Sequence, residues 1–299
     1  MEKLLSEELG LEDVEKCGRS AYETAQGKVF VKKGDNSDEG EKLVKGELES
    51  LRAIDRTGAI GCPKPLGLVK SGTGCALVTS YVDAKRSHTA SAEFGRQLAE
   101  MHRDNADRLA KAEHDAKIVG KGENVLNGVK SFGFEVPTCC GRIPQDNEWT
   151  DDWPTFFIRQ RLDSQLGRLM KKGDRELNEL HDELVEKTAK LLKSRENVKP
   201  AVVHGDLWSG NWAQTDAGPV IYDPSSSYSD PEFEQGIMNM FGGFGRDFWT
   251  GYQKVLPFDA DRDKRVLLYE LYHNLNHWNH FGPSYRSSSI DLIHEILKC

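Results

Sequence analysis

The clearest chemistry in this 299-residue chain lies in His204-Gly205-Asp206-Leu207-Trp208-Ser209-Gly210-Asn211, followed by Asp223 in Ile221-Tyr222-Asp223-Pro224. The strand-like run Ala201-Val202-Val203 delivers His204, and Gly205 permits a tight turn that exposes Asp206. Asn211 follows five residues later, and a second strand pattern, Pro219-Val220-Ile221-Tyr222, presents Asp223 at its end. Phosphoryl transfer to a hydroxyl needs such a set. One carboxylate, Asp206, orients and deprotonates the acceptor, while an amide and a second carboxylate, Asn211 and Asp223, hold Mg²⁺. Oxygen ligands of this kind suit Mg²⁺ far better than zinc. A polar loop with Asx turns would account for an isolated His-Gly-Asp, but not for the Asn spacing and the strand-ending Asp.

A second constellation lies upstream. ATP-using enzymes of this design place a strand lysine on the phosphates and pair it with a helix glutamate. Lys32 closes the strand-like run Lys28-Val29-Phe30-Val31-Lys32. Residues 38 to 57 read as a helix with Leu43, Leu51 and Ile54 on one face and Thr57-Gly58 as its stop. Glu47 falls four residues from both Leu43 and Leu51, inside the apolar stripe, where an unpaired carboxylate is costly to desolvate. A lysine from the adjacent strand answers that cost; a solvated Glu47 at the stripe's edge is the alternative.

The elements that must carry these groups follow a simple order. Ala76-Leu77-Val78-Thr79-Ser80-Tyr81-Val82 reads as a buried strand, and residues 90 to 114 as a helix with Phe94, Leu98 and Met101 in register. An irregular, Gly-rich stretch spans 119 to 152, and a helix is expected to open at Asp151 or Asp152 with Pro154 in its first turn. Residues 175 to 193 carry leucines at helical spacing, Asp216-Ala217-Gly218 is turn chemistry, and the remainder after 224 reads as helical. The pattern predicts an α+β, bilobal chain: a small β-rich lobe over residues 1–82 and a larger, mainly helical lobe over 83–299.

Composition narrows the partners. Forty basic against 48 acidic side chains give a net charge of −8, which argues against nucleic acid. No run approaches a membrane span, and the mean hydropathy is −0.60. The acidic start, Met1-Glu2-Lys3-Leu4-Leu5, lacks a signal-peptide core, and the six cysteines show neither a disulfide framework nor a Cys-x-x-Cys pair. A reducing, cytoplasmic setting is expected.

Several long strings resemble one family. Thr138-Cys139-Cys140-Gly141, Pro144-Gln145, Asn147-Glu148-Trp149, Asp151-Asp152-Trp153-Pro154-Thr155-Phe156-Phe157, Met240-Phe241-Gly242-Gly243-Phe244 and Asn276-His277-Trp278-Asn279-His280-Phe281-Gly282 are similar to the fructosamine-3-kinase and ketosamine-3-kinase family, as is the His204–Trp208 run. The resemblance covers residues 18 to 295. It implies a protein-kinase-like (aminoglycoside-phosphotransferase-like) fold that moves the γ-phosphate of ATP onto the 3-hydroxyl of ketosamines, the sugar adducts on amines and protein lysines. Because the 3-phosphate is unstable, the family acts in deglycation.

Carried over, Asp206 is the base, Asn211 and Asp223 hold Mg²⁺, Lys32 holds phosphates beside Glu47, and the backbone around Ser80, Tyr81 and Val82 meets adenine. Trp149, Trp153 and Trp278 resemble positions on the acceptor side, and Trp208, two residues after Asp206, either stacks on the sugar or its amine-bearing chain or packs the loop against a helix. Small-molecule ketosamines and glycated proteins are the expected partners of a monomer or weak dimer.

One departure stands out. The family's glycine-rich run between its first two strands is missing, and Glu15-Lys16-Cys17-Gly18-Arg19-Ser20-Ala21-Tyr22 looks several residues short. Fewer backbone N–H groups are therefore expected over the phosphates. Two rival readings follow: another small-molecule kinase of this fold, acting on an aminoglycoside, choline or an amino alcohol, or a catalytically silent ligand-binding scaffold. His273, His277 and His280 lie at helical spacing without the glutamate of a zinc motif, so a hydrogen-bonding or acceptor-side role for His277 is expected over a metal site. The Asp151-Asp152 pair reads as helix capping.

Overall fold

The computed structural model describes residues 1–35, 37–72, 74–85, 89–118 and 128–299. After a short helix, α1 (Glu2–Leu9), five strands form one antiparallel sheet: β1 (Glu15–Lys16), β2 (Ala21–Glu23), β3 (Val29–Lys33), β4 (Pro65–Ser71) and β5 (Gly74–Ser80), in the order β1-β2-β3-β5-β4. Alternation along β3 sends Val29 and Val31 into an apolar layer with Leu5, Tyr22 and Val78, and turns Phe30 and Lys32 to the opposite face. Helix α2 (Asp38–Thr57) starts where Ser37 accepts the Gly40 N–H and stops at Gly58, whose φ of 62° is left-handed.

The α2 face toward the rest of the molecule carries small polar residues beside its leucines. A Cβ on Gly46 would press on the Pro137 carbonyl at 2.7 Å, and the Ser50 hydroxyl accepts the Ser226 N–H at 3.0 Å. Leu43 is only half-buried; Val44, Leu48, Leu51 and Ile54 form the apolar side.

The second lobe contains α3 (Ala92–Ile118), α4 (Trp153–Phe156) running through a π turn (Phe157–Leu162) into α5 (Asp163–Met170), α6 (Arg175–Leu192), α7 (Glu234–Phe241), α8 (Arg246–Gln253), α9 (Arg262–Phe281) and α10 (Arg286–Lys298). Asp152 caps the Thr155 N–H at 2.9 Å, with Pro154 in the first turn. Trp153, Phe156, Phe157, Phe233 and Tyr269 fill one core, and Phe94, Trp212 and Phe248 another. Helices α3 and α8 approach closely because a Cβ on Gly95 would collide with the Phe248 carbonyl, and one on Gly251 with that of Ala92.

Among the described residues the second lobe also holds three antiparallel pairs of short strands: β6 (Thr138–Cys140) with β7 (Ile143–Gln145), the buried β8 (Ala201–Val203) with β11 (Ser227–Ser229), and β9 (Trp212–Thr215) with β10 (Gly218–Ile221). Strand β11 corrects the helical reading of everything after 224. The six described cysteines are free thiols. Among the described residues no helix is long and apolar enough to cross a membrane. Residues 119–127 of the Gly-rich stretch lie outside the described residues.

Candidate active site

Lys32 is the meeting point of the two lobes. Its Nζ stands 2.7 Å from Glu47 Oε2 and 2.8 Å from Asp223 Oδ1. Glu47 is only 8% exposed. Burial opposes the Lys32 charge, but the Glu47 and Asp223 carboxylates outweigh it and hold the ammonium above its ordinary value. Burial pushes the Glu47 carboxyl up, and Lys32 draws it back. Asp223 follows β10 with a left-handed φ of 56°, a conformation that Asp and Asn accept far better than other L residues.

The loop after β8 is held by its own backbone. His204 Nε2–H donates to the Tyr222 carbonyl at 2.9 Å, so its Nδ1 is free to accept the Asp206 N–H at 3.2 Å. Burial lowers the His204 pKa and keeps this ring neutral. Gly205 has φ of 82°, and any Cβ there would collide with the Ser225 carbonyl. The Asn211 amide donates to the Asp206 carbonyl at 2.8 Å and to its Oδ2 at 3.1 Å. Burial, followed by the charge of Glu234, pushes the Asp206 carboxyl up to about 7.

Sequence reasoning missed Glu234. This fully buried carboxylate at the start of α7 accepts the Gly205 N–H at 3.0 Å and the His204 N–H, fixing the loop from below. Burial alone would raise it; His102, whose Nε2 stands 3.6 Å away, and the His204 contacts hold it below its ordinary value. In sequence it is an acid in a helix's first turn, a commonplace of capping. The family strings at 138–147 also have a structural use: Thr138 Oγ1 bonds Gln145 Oε1 at 2.9 Å, Gln145 Nε2 bonds the Tyr272 hydroxyl at 2.6 Å, and the buried Arg161 reaches Asn147 Oδ1 at 2.7 Å.

A cleft of about 310 Å³ beside Lys32 is lined by Glu47, Ser80, Tyr81, Val82 and Asp223, with apolar walls from Leu51 and Leu77. The Ser80 and Tyr81 amides are spent on the Lys64 and Lys28 carbonyls, whereas Val82, just past β5, makes no such bond among the described residues. The β1–β2 turn is tight: the Cys17 and Gly18 amides both donate to the Ala21 carbonyl at 3.1 Å. Lys16 and Arg19 of this turn share a recess of about 400 Å³ with Lys32 and Lys33.

The oxygen donors suit a hard cation. Asn211 Oδ1 carries no hydrogen bond among the described residues, Lys32 meets Asp223 through Oδ1, and one amide with one or two carboxylates leaves room for phosphate oxygens, as Mg²⁺ prefers.

The acceptor-side expectations fare differently. Trp208 is 37% exposed beside this loop. Trp278 is a correction: at 6% exposure it packs in the helical core, its ring 5.8 Å from the Arg286 guanidinium, because that side of α9 faces α10. Trp153 is likewise core. The three histidines do not converge. His273 is buried and stacked on Phe233, His277 Nδ1–H donates to the His273 carbonyl, and His280 Nε2 accepts the Arg142 N–H.

This fold and site define a two-lobed phosphotransferase of the kinase type. Residues 6–299 match the family model described as fructosamine kinase, and the chain belongs to that family. It is 41% identical over 314 aligned positions, covering all of both chains, to the ketosamine-3-kinase of Mus musculus. It is 37% identical to the chloroplastic protein-ribulosamine 3-kinase of Arabidopsis thaliana, over 93% of this chain and 79% of that one. Among solved structures it resembles the putative fructosamine-3-kinase of Thermobifida fusca, with 26% identity, a TM-score of 0.80 and coverage of 100% and 99%. An aminoglycoside phosphotransferase solved with GDP and kanamycin shares the fold, at 13% identity and a TM-score of 0.54 over 98% and 97% of the chains.

Proposed function

We propose that this chain transfers the γ-phosphate of ATP to the 3-hydroxyl of ketosamines, on small amines and on protein lysines, as a step in deglycation. The observation that carries the reading is Lys32 bridging Glu47 and Asp223 beside the Asp206–Asn211 loop, in a chain whose full-length relative is a ketosamine-3-kinase.

In this reading the acceptor hydroxyl lies against Asp206, which takes its proton as the oxygen attacks phosphorus. A carboxyl raised to about 7 suits a base working near neutrality. Asn211 fixes the Asp206 carboxylate through Oδ2, and Glu234 fixes the turn that carries it. Lys32 holds phosphate oxygens, and Glu47 keeps its ammonium aimed. Asn211 and Asp223 would hold Mg²⁺, which supplies positive charge for the phosphates. The open Val82 amide is the adenine donor. With two hairpin amides spent, Lys16 and Arg19 take over phosphate contacts above Lys32. The cleft then lies between residues 1–82 and 83–299, in a cytoplasmic protein.

The silent-scaffold reading is not favoured, since Lys32, Glu47, Asp206, Asn211 and Asp223 are all in place. The test is ADP release from Mg·ATP with synthetic lysine ketosamines, choline and aminoglycosides in parallel, followed by mass spectrometry. Phosphate gained by the ketosamines alone is expected; gain by another acceptor alone, or by none, overturns the proposal.

A further inference from the structure

An unbroken line of aromatic rings runs outward from the catalytic loop. Trp208, two residues beyond Asp206, is propped on Gly210, where any Cβ would collide with the indole. Its ring centroid is 5.5 Å from Phe241 at the end of α7. Phe241 is 5.4 Å from His277 on α9, and His277 is 5.5 Å from Phe281 one turn on. Tyr285 closes the far end, 5.1 Å from His277 and 6.0 Å from Phe281.

Three of these rings face solvent, while His277 and Tyr285 are half-buried beneath them, Tyr285 against the helical core. Trp208 is 37% exposed, Phe241 41% and Phe281 66%. Single exposed aromatics need no explanation, but contiguous ones mark a surface that meets something. The line contains no carboxylate, ammonium or guanidinium, and burial lowers the His277 pKa against the opposing pull of the His273 carbonyl that accepts its Nδ1–H. Helix α9 also reaches the site's polar network, since its Tyr272 hydroxyl accepts Gln145 Nε2–H at 2.6 Å and Gln145 Oε1 accepts the hydroxyl of Ser225, two residues after Asp223, at 3.1 Å.

The proposed acceptor supplies the occupant. A ketosamine joins a polar sugar through a secondary ammonium to an alkyl chain, and with the sugar at Asp206 that chain must leave the cleft. Aromatic faces attract an ammonium and cover methylene groups, and the net charge of −8 favours a cationic visitor. Resting on the function proposed above, we infer that Phe241, His277 and Phe281 extend the Trp208 platform into a track for the aglycone, the modified lysine and the peptide around it, and so set the preference for protein-bound over small acceptors.

The test measures kcat/KM for one ketosamine on a short alkylamine and on a lysine within a peptide, using parent, Phe241→Ala, Phe281→Ala and Phe281→Tyr. In the alanine variants the peptide value should fall about tenfold more than the alkylamine value. Phe281→Tyr should restore the parent ratio, with melting temperatures showing that all variants fold. Equal falls for both acceptors, or no fall for either, overturn the track. So does a parent dimer that the alanine variants convert to monomer at an unchanged ratio, because the rings then face a second copy. A parent that phosphorylates neither acceptor removes the functional reading, and the track with it. One that phosphorylates both while the ratio never moves removes the track alone.

Discussion

Replacing Asp206 with Asn should stabilise the protein while sharply lowering its activity. The folded environment moves this carboxyl from an ordinary 3.8 to about 7. Three units correspond to about 4 kcal/mol, and partial solvent access at the cleft reduces this to roughly 2–4 kcal/mol. The sign follows from linkage: a raised folded pKa favours the protonated form, so the stability tied to this group is complete below the unfolded value and lost as pH rises through about 7. At pH 8 the parent carries the full cost of a buried charge and Asp206→Asn does not. Asn can present its Oδ1 to the Asn211 amide, so the loop hydrogen bond survives. Urea unfolding with a chelator and no nucleotide should show the variant ahead by roughly 2–4 kcal/mol at pH 8, the gap narrowing from pH 7 to pH 4. Turnover should fall by about 10²–10⁴, because an amide cannot accept the acceptor's proton. A variant as active as the parent refutes the assignment of the base. A stability gap independent of pH refutes the electrostatic account of the site.

Lys32→Ala should raise KM for ATP about tenfold or more with KM for the ketosamine nearly unchanged; equal changes in both would make Lys32 merely structural. Asp223→Asn keeps a residue that accepts φ of 56°, so its melting temperature should stay near the parent's while the Mg²⁺ needed for half-maximal turnover rises; an unchanged Mg²⁺ titration would remove Asp223 from the metal site. Glu234→Gln sets an amide N–H₂ against one of two buried backbone donors and should cost about 2–3 kcal/mol in urea unfolding and lower kcat more than KM for ATP. Unaltered kcat would show that the loop holds without it. Arg19→Ala should weaken ATP binding and flatten its salt dependence, and an unchanged salt profile would place Arg19 away from the phosphates.

What the sequence revealed depended on the range of the interaction responsible. Glu47 stood out because its neighbours along one helix are apolar, and the caps at Ser37–Gly58 and Asp152–Pro154 are short-range chemistry. The loop from His204 to Asn211 closes largely on itself, so its spacing carried its geometry. Strand β4 escaped notice because Pro65 and Gly67 interrupt its start, where the register shifts. Strands β6 and β7 are three residues each, too short for periodicity. Glu234 and His102 acquire meaning only through contacts that span the chain. Trp278 shows a subtler limit: its neighbour His277 is half-buried along the aromatic line while Trp278 points into the core, a difference of one position on a helix that aromatic content alone does not settle.

The placement of these groups also explains why the site needs polar contacts around it. Apolar packing is non-directional and would let one lobe slide on the other without losing much buried area. Here the contacts across the lobes are directional: Lys32 to Asp223, Ser50 to the Ser226 amide, and the Ile221 amide to the Gly61 carbonyl at 2.9 Å. Each restricts a different element of the first lobe: β3 against Asp223, α2 against the start of β11, and the segment after α2 against the end of β10. Gly46 lets α2 come close enough for this, because a side chain there would strike the Pro137 carbonyl. The lysine on one lobe and the carboxylates on the other are thereby held to a single relative position by bonds that fail if either lobe shifts by an ångström or so. A phosphoryl group passing between nucleotide and acceptor requires that degree of alignment.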